Sequence, residues 1–259
     1  MPEFIKITSK DNPLLKHVSA LQTSSKERRG SGLFVLEGLR ICMDAYENNI
    51  SFNKLIVTEN AINKYSEDIE KFKLISDNCY VLRDDLFKKI SDTNTPQGII
   101  VVAKMPQINN TVSKGKRYIA LENIADPSNL GAIARTAEAL GVGGIIVSLN
   151  GCDPYSPKSL RASMGTLLRL PVIISDDITD LIKQNSLRSF ACVVDSDAKN
   201  IADIKFENGD VLLIGNEANG LTVECKNAAN VLITIPMKGN AESLNAAAAA
   251  SIAMWEMMK

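Results

Sequence analysis

The stretch from Ile119 to Ser148, IALENIADPSNLGAIARTAEALGVGGIIVS, constrains the fold more than any other part of the chain. It opens on a short apolar run, Tyr118 to Leu121, and breaks at Asp126-Pro127-Ser128-Asn129. Apolar residues then recur at Leu130, Ile133, Ala134, Ala137 and Leu140, the spacing of one helix face. Gly141 stands where a helix C-cap belongs, and Ile145 to Val147 form a second apolar run. Strand, polar loop, helix and strand make a βαβ unit, and in sheets built from such units ligands bind at the C-terminal strand ends. The loop there carries Asn123, Asp126, Ser128 and Asn129. One helical turn further on, Arg135 stands among Ile133, Ala134, Thr136 and Ala137. An arginine in such company is either half of a buried ion pair or a functional cation, and the spacing does not choose between them.

The 259 residues have room for two ordinary domains. Asn12-Pro13 pairs an N-cap with a first-position proline and starts a helix to residue 27. A basic cluster, Lys26, Arg28 and Arg29, then runs into Gly30-Ser31-Gly32. Strands are expected at Leu33–Leu36, Lys54–Thr58 and Gln97–Ala103, with helices opening at Glu37-Gly38-Leu39-Arg40, at Ile62 and at Asp84. This predicts a small α/β domain over residues 1–105. The polar segment MPQINNTVSKGK that follows predicts a linker over 106–116 and a second α/β domain over 117–259.

In that second domain, Val211–Ile214 predicts a buried strand running into Gly215-Asn216-Glu217-Ala218-Asn219-Gly220. This is not a phosphate loop, because Leu221 occupies the place of its lysine. Gly141-Val142-Gly143-Gly144 is not a dinucleotide fingerprint, because it precedes a strand instead of following one. Val231–Ile235 predicts the last strand. It leads through Pro236, Met237 and Glu242-Ser243-Leu244-Asn245 into an alanine-rich helix that Ser243 or Asn245 can cap.

A formal net charge of −1 provides no bulk positive field, so any nucleic-acid contact must come from local patches. The single histidine, His17, reads as structural, and one histidine excludes a multi-histidine metal centre. Five scattered cysteines without a Cys-x-x-Cys pair suggest reduced thiols and a cytoplasmic protein. The N-terminal MPEFIKITSKDNP lacks the apolar core of a signal peptide, and no apolar run approaches the roughly 20 residues of a membrane span.

Three loops at three strand ends, NIADPSNLGAIARTA, IGNEANGL and IPMKGNAESLNAAAAA, closely resemble the three motifs of the SpoU (TrmH-like) branch of the SPOUT RNA 2′-O-ribose methyltransferases. The motifs stand in the family's order within residues 118–259. KERRGSGLFVLEGLR and TNTPQGIIVVA resemble the ribosomal-protein-like substrate-binding domain that often precedes this catalytic domain. The resemblance implies a trefoil-knotted C-terminal α/β domain, S-adenosylmethionine as methyl donor, a homodimer, and methylation of a ribose 2′-hydroxyl, in ribosomal more than in transfer RNA. It implies catalytic roles for Arg135, Asn129, Glu217 and Asn245. It puts the cofactor against Gly215, Ile235 and Leu244, with Asn216, Gly220, Met237, Ser243 and Ala246 around it. The RNA contacts expected are Lys26, Arg28, Arg29 and Arg40, together with Arg161 and Arg169 from a second basic set; no metal is expected. Two other classes compete: a non-catalytic RNA-binding assembly factor of the same fold, and a nucleotide-dependent α/β enzyme, which the missing phosphate-loop lysine disfavours.

Overall fold

A computed structural model describes residues 2–106 and 112–259 of the chain, so residues 107–111 of the expected linker lie outside the described residues. The chain divides into two compact units: Met1–Gln107 with Tyr155–Arg161, and Ile108–Pro154 with Ala162–Lys259. The short return segment was not expected. It includes Tyr155, a fully buried ring 5.2 Å from that of Phe34.

The first unit holds strands β1 (Phe4–Ile7), β2 (Leu33–Glu37), β3 (Phe52–Thr58), β4 (Ser76–Leu82) and β5 (Ile99–Lys104) in the order β1-β4-β3-β5-β2. Its helices are α1 (Pro13–Thr23), α2 (Ser25–Ser31), α3 (Leu39–Glu47), α4 (Glu59–Lys64), α5 (Ser66–Leu74) and α6 (Asp84–Ile90). The single helix expected from residue 12 to 27 is two helices, because Ser24 adopts extended backbone and its hydroxyl caps α2 at the Glu27 amide. The break gives Arg28 an unexpected role. It is 3 % exposed, and its guanidinium donates to the Leu21 and Gln22 carbonyls at 2.6 and 3.1 Å, near the end of α1. Arg28 is therefore a buried structural residue and not the RNA contact the sequence suggested. Lys26, Arg29 and Arg40 are exposed. Glu37 organises the loop before β5, accepting from the Ser91 and Thr93 hydroxyls and from the Asp92 amide.

The second unit is a seven-stranded sheet with every pairing parallel: β6 (Tyr118–Leu121), β7 (Ile145–Ser148), β8 (Val172–Ser175), β9 (Arg188–Cys192), β10 (Lys199–Asn200), β11 (Asp210–Ile214) and β12 (Val231–Thr234). The four residues of β6 and the five of β11 are all buried, as continuous apolar runs in a parallel sheet should be. Its helices are α7 (Pro127–Leu140), α9 (Ile178–Gln184), α10 (Val223–Ala228) and α11 (Ala246–Met258), while α8 (Pro157–Ala162) belongs, but for Ala162, to the return segment of the first unit. The order β10-β12-β9-β11-β6-β7-β8 places β6, β7 and β8 on one side of β11, with β9, β12 and β10 on the other. The strand order thus reverses between β6 and β11, the kind of point beside which such sheets bind ligands. Helix α7 begins at Pro127, so Ser128 and Asn129 sit in its first turn and not in the preceding loop; Asp126 is its N-cap. Gly141 closes it in the left-handed conformation, at φ 76°.

Candidate active site

At the C-terminal edge of the second sheet, residues 122–126 follow β6, 193–195 follow β9, 215–222 follow β11 and 235–245 follow β12. Three of these segments, with the ends of their strands and the first turn of α11, enclose a cavity of about 470 Å³. Its wall is formed by Cys192–Asp195 of β9 and its loop, Ile214–Leu221, and Ile235, Met237, Glu242–Leu244 and Ala246, with Lys226, Leu232, Thr234 and Ala249 completing it.

The 215–220 loop is closed on itself. Asn216 and Gly220 exchange backbone hydrogen bonds of 3.0 and 2.9 Å. A Cβ on Gly215 would stand 2.1 Å from the Gly220 carbonyl carbon and the Leu221 nitrogen, so only glycine fits that turn. The Asn216 side-chain oxygen accepts from the Ala218 and Asn219 amides, and its amide donates to the Asn123 carbonyl at 2.8 Å.

That loop aims Glu217 at the start of α7. Its two oxygens accept from the Ala125 and Asp126 amides, each at 3.1 Å, and from Asn129 Nδ2 at 2.9 Å. Burial pushes the Glu217 carboxyl up, but the bonds from Asn129 and these amides outweigh it and hold the group below its ordinary value. Asn129 in turn accepts from Asn245 Nδ2 at 3.0 Å, and Asn245 caps α11 by accepting from the Ala247 and Ala248 amides. Three side chains, Asn129 and two that lie 88 and 116 residues further along the sequence, therefore form one chain, Glu217–Asn129–Asn245, joining the N-termini of two helices.

Of the residues singled out in the sequence, Gly215, Asn216, Gly220, Ile235, Met237, Ser243, Leu244 and Ala246 all stand in the cavity wall, as does Glu217. Arg135 does not. It is exposed on α7, and among the described residues it pairs with no carboxylate, which removes the buried ion-pair alternative. Arg169 is committed elsewhere: it grips Glu138 through two bonds of 2.7 and 2.9 Å, and that bond holds the Glu138 carboxyl below its usual range. This bidentate pair holds the exposed Arg169 guanidinium against Glu138. Arg161 falls in the first unit and pairs with Asp92 at 2.7 Å, both side chains remaining nearly half exposed.

The sequence reading missed Cys192–Asp195. The acidic loop after that strand was visible, but not that β9 runs between β11 and β12 and so lies under the cavity. Burial lifts the Cys192 thiol to about 11, so it enters the wall as a neutral group and not as a thiolate nucleophile. Among the described residues, no group of three or more His, Cys, Asp or Glu could hold a metal ion.

A parallel α/β unit with a switch-point cavity, built by three strand-end loops and flanked by a Glu–Asn–Asn chain, is the frame of a small-molecule-dependent transferase. Residues 116–255 match the model of the SpoU rRNA methylase family, and residues 12–101 match that of the MRM3-like substrate-binding domain. The chain belongs to the SpoU rRNA methylase family. It is 26 % identical over 254 residues to the 23S rRNA (guanosine(2553)-2′-O)-methyltransferase RlmP of Bacillus subtilis (strain 168), an alignment covering 97 % of this chain and 98 % of that one. The AdoMet-bound rRNA methyltransferase from Sinorhizobium meliloti superposes with a TM-score of 0.85 at 28 % identity, covering 98 % of this chain and 97 % of that one. The SpoU methyltransferase AviRb from Streptomyces viridochromogenes, in complex with AdoMet, gives 0.84 at 26 % identity over 95 % of this chain and 97 % of that one.

Proposed function

We propose that the chain transfers a methyl group from S-adenosylmethionine to a ribose 2′-hydroxyl of RNA, with ribosomal RNA as substrate. The observation that carries this reading is the character of the cavity. Its volume of about 470 Å³ falls within the range of sites for small cofactors. Ile214, Leu232, Ile235 and Leu244 give it apolar walls suited to a purine, and bent loop backbone offers polar groups for the base edge. Three carboxylates, Asp195, Glu217 and Glu242, face one ammonium, Lys226. That balance favours a cationic ligand such as a sulfonium and opposes the phosphates of ATP or NAD, which weighs against the nucleotide-dependent alternative.

When bound, S-adenosylmethionine supplies an electrophilic methyl group. The chain must hold the acceptor hydroxyl in line with that methyl, and such positioning is worth several kcal/mol. Asn129 and Asn245 are the groups held for this. Their amide dipoles are locked by Glu217 and by the α11 cap, so their remaining valences point in fixed directions. Arg135 acts as a charged clamp on phosphate and developing oxyanion and not as a base, because removing a proton from a guanidinium at pH 7 costs roughly 7 kcal/mol. The RNA phosphate or a water molecule takes the hydroxyl proton.

The homodimer belongs to the same reading. Ala132, Arg135 and Ala139 form an exposed row on α7. On α11, which is joined to α7 through Thr136 and Ser251 at 3.1 Å, Ala248 is exposed and Ile252 and Trp255 are 40 % and 57 % exposed. Packing two copies through this face would cover Trp255 and turn Arg135 toward the partner, consistent with its place outside the wall of its own cavity. The C-terminal trefoil knot is part of this proposal too; Ile235, Met237, Glu242, Ser243, Leu244 and Ala246 share the cavity wall with residues 214–221. Lys26, Arg29 and Arg40 of the first unit are the RNA contacts. A cytoplasmic location fits a ribosomal substrate, and among the described residues no helix is long and apolar enough to cross a membrane.

The test is transfer of labelled methyl from S-adenosylmethionine to total RNA from a strain lacking the protein, with Arg135→Ala alongside. A 2′-O-methylnucleotide in ribosomal RNA, absent with the variant, supports the proposal. Cofactor binding without label in any RNA favours the non-catalytic assembly factor.

A further inference from the structure

We propose that Ser148 and Asn123 are positioning residues for the transfer site: they hold residues 123–126 in the one backbone path that lets Glu217 dock on the start of α7. The inference rests on the functional reading above for its consequence, though not for its geometry. Ser148 is the last residue of β7, is 9 % exposed and is absent from the cavity wall. Its Oγ accepts from the Asn123 backbone amide at 2.7 Å and donates to Asn123 Oδ1 at 3.2 Å. The hydroxyl's single proton and a lone pair are thus both spent on one residue.

That residue needs holding, because Asn123 has φ 57°, a left-handed conformation that non-glycine residues rarely occupy. The turn it makes has two results. Its carbonyl meets Asn216 Nδ2 at 2.8 Å, fixing the closed 215–220 loop against β6. Two and three residues on, the Ala125 and Asp126 amides meet the two Glu217 oxygens. The Ile124 carbonyl between them is tied to the Cys152 amide at 2.7 Å. With Asn123 in ordinary extended or helical backbone the chain would leave β6 in another direction, and neither contact could form. Glu217 would then lose the backbone donors that align it on Asn129, and Asn129 its alignment on Asn245. The path from Ser148 to Asn245 crosses β7, β6 and β11 and ends on both helices, yet only its far half carries residues expected to touch substrate.

Four variants of the full chain, Ser148→Ala, Ser148→Thr, Asn123→Ala and Asn123→Gly, separate this role from ordinary packing. Glycine adopts φ 57° without strain and keeps the carbonyl; alanine keeps neither the side-chain bond nor the tolerance of that conformation. Titration of the Glu217 carboxyl by carbon NMR is the direct readout, alongside kcat and the KM for S-adenosylmethionine. In Ser148→Ala and Asn123→Ala, Glu217 should titrate higher, toward the ordinary carboxylate value. Their kcat should fall about tenfold, the size of one lost net hydrogen bond, with KM for S-adenosylmethionine within about twofold. Asn123→Gly should keep the wild-type Glu217 titration, and Ser148→Thr, which retains the hydroxyl, should recover most of kcat. An unchanged Glu217 titration in folded Ser148→Ala overturns the inference. So does Asn123→Gly shifting Glu217 as far as Asn123→Ala, and this arm decides if the alanine variants do not fold. A wild-type protein that methylates no RNA would defeat the functional reading, while the Glu217 titration would still decide the positioning.

Discussion

Asn245 serves two structures at once, and its replacements should separate them. Its Oδ1 accepts from the Ala247 and Ala248 amides at 2.9 and 3.2 Å, and its Nδ2 donates to Asn129 at 3.0 Å. Asn245→Ala removes the cap, worth about 1 kcal/mol. It also removes a neutral hydrogen bond, worth about 1 kcal/mol net. The sum, about 2 kcal/mol, should lower the Tm of a domain this size by roughly 4–8 °C. Asn245→Ser restores a capping oxygen but no donor for Asn129, so about half of the loss should return, leaving a decrease of roughly 2–4 °C. Methyl transfer should not follow stability, since both variants leave Asn129 without its partner. Both should be slower by about tenfold, the equivalent of one lost alignment bond. Thermal unfolding followed by circular dichroism, with initial rates of methyl transfer, checks both halves. If serine is no more stable than alanine, the α11 cap is not what Asn245 contributes. If serine restores the rate with the stability, the bond to Asn129 has no part in transfer.

Gly215→Ala should cost about 1–3 kcal/mol or more and abolish measurable cofactor binding by calorimetry, because the added carbon meets backbone and not a yielding side chain. Arg28→Ala should destabilise the first unit by about 2–3 kcal/mol in urea unfolding, having lost charged bonds to two carbonyls. Arg29→Ala, at an exposed position, should leave stability unchanged while lowering the salt slope of RNA binding by about one. The Glu217 carboxyl is held below its ordinary value of 4.5. Its ionisation therefore favours the folded site above the ordinary carboxylate range, and that contribution is lost as pH falls through the depressed value. The wild-type rate profile should accordingly carry no acid limb from Glu217 between about pH 5 and 8.

The sequence by itself determined the local pieces, because the forces that make them are local. The spacing of Leu130, Ile133, Ala134 and Ala137 makes one buried helix face. Asp126 and Pro127 open that helix and Gly141 closes it, and the continuous apolar runs at Tyr118–Leu121 and Val211–Ile214 make fully buried strands. The second and third motifs marked cavity residues because each is a strand end followed by a loop with special backbone. What only the tertiary structure decided is which strand lies beside which. Parallel pairing joins segments far apart in the chain, and nothing local in Arg188–Cys192 records that β11 and β12 flank it, so the Cys192–Asp195 wall was invisible. Charges were the least legible. Arg28, Arg169 and Arg135 read alike as cations, yet one ends buried on carbonyls, one is held against Glu138 and one stands exposed without a carboxylate partner. A charged side chain reaches several ångströms from its backbone, and its partner is set by what the fold brings within that reach.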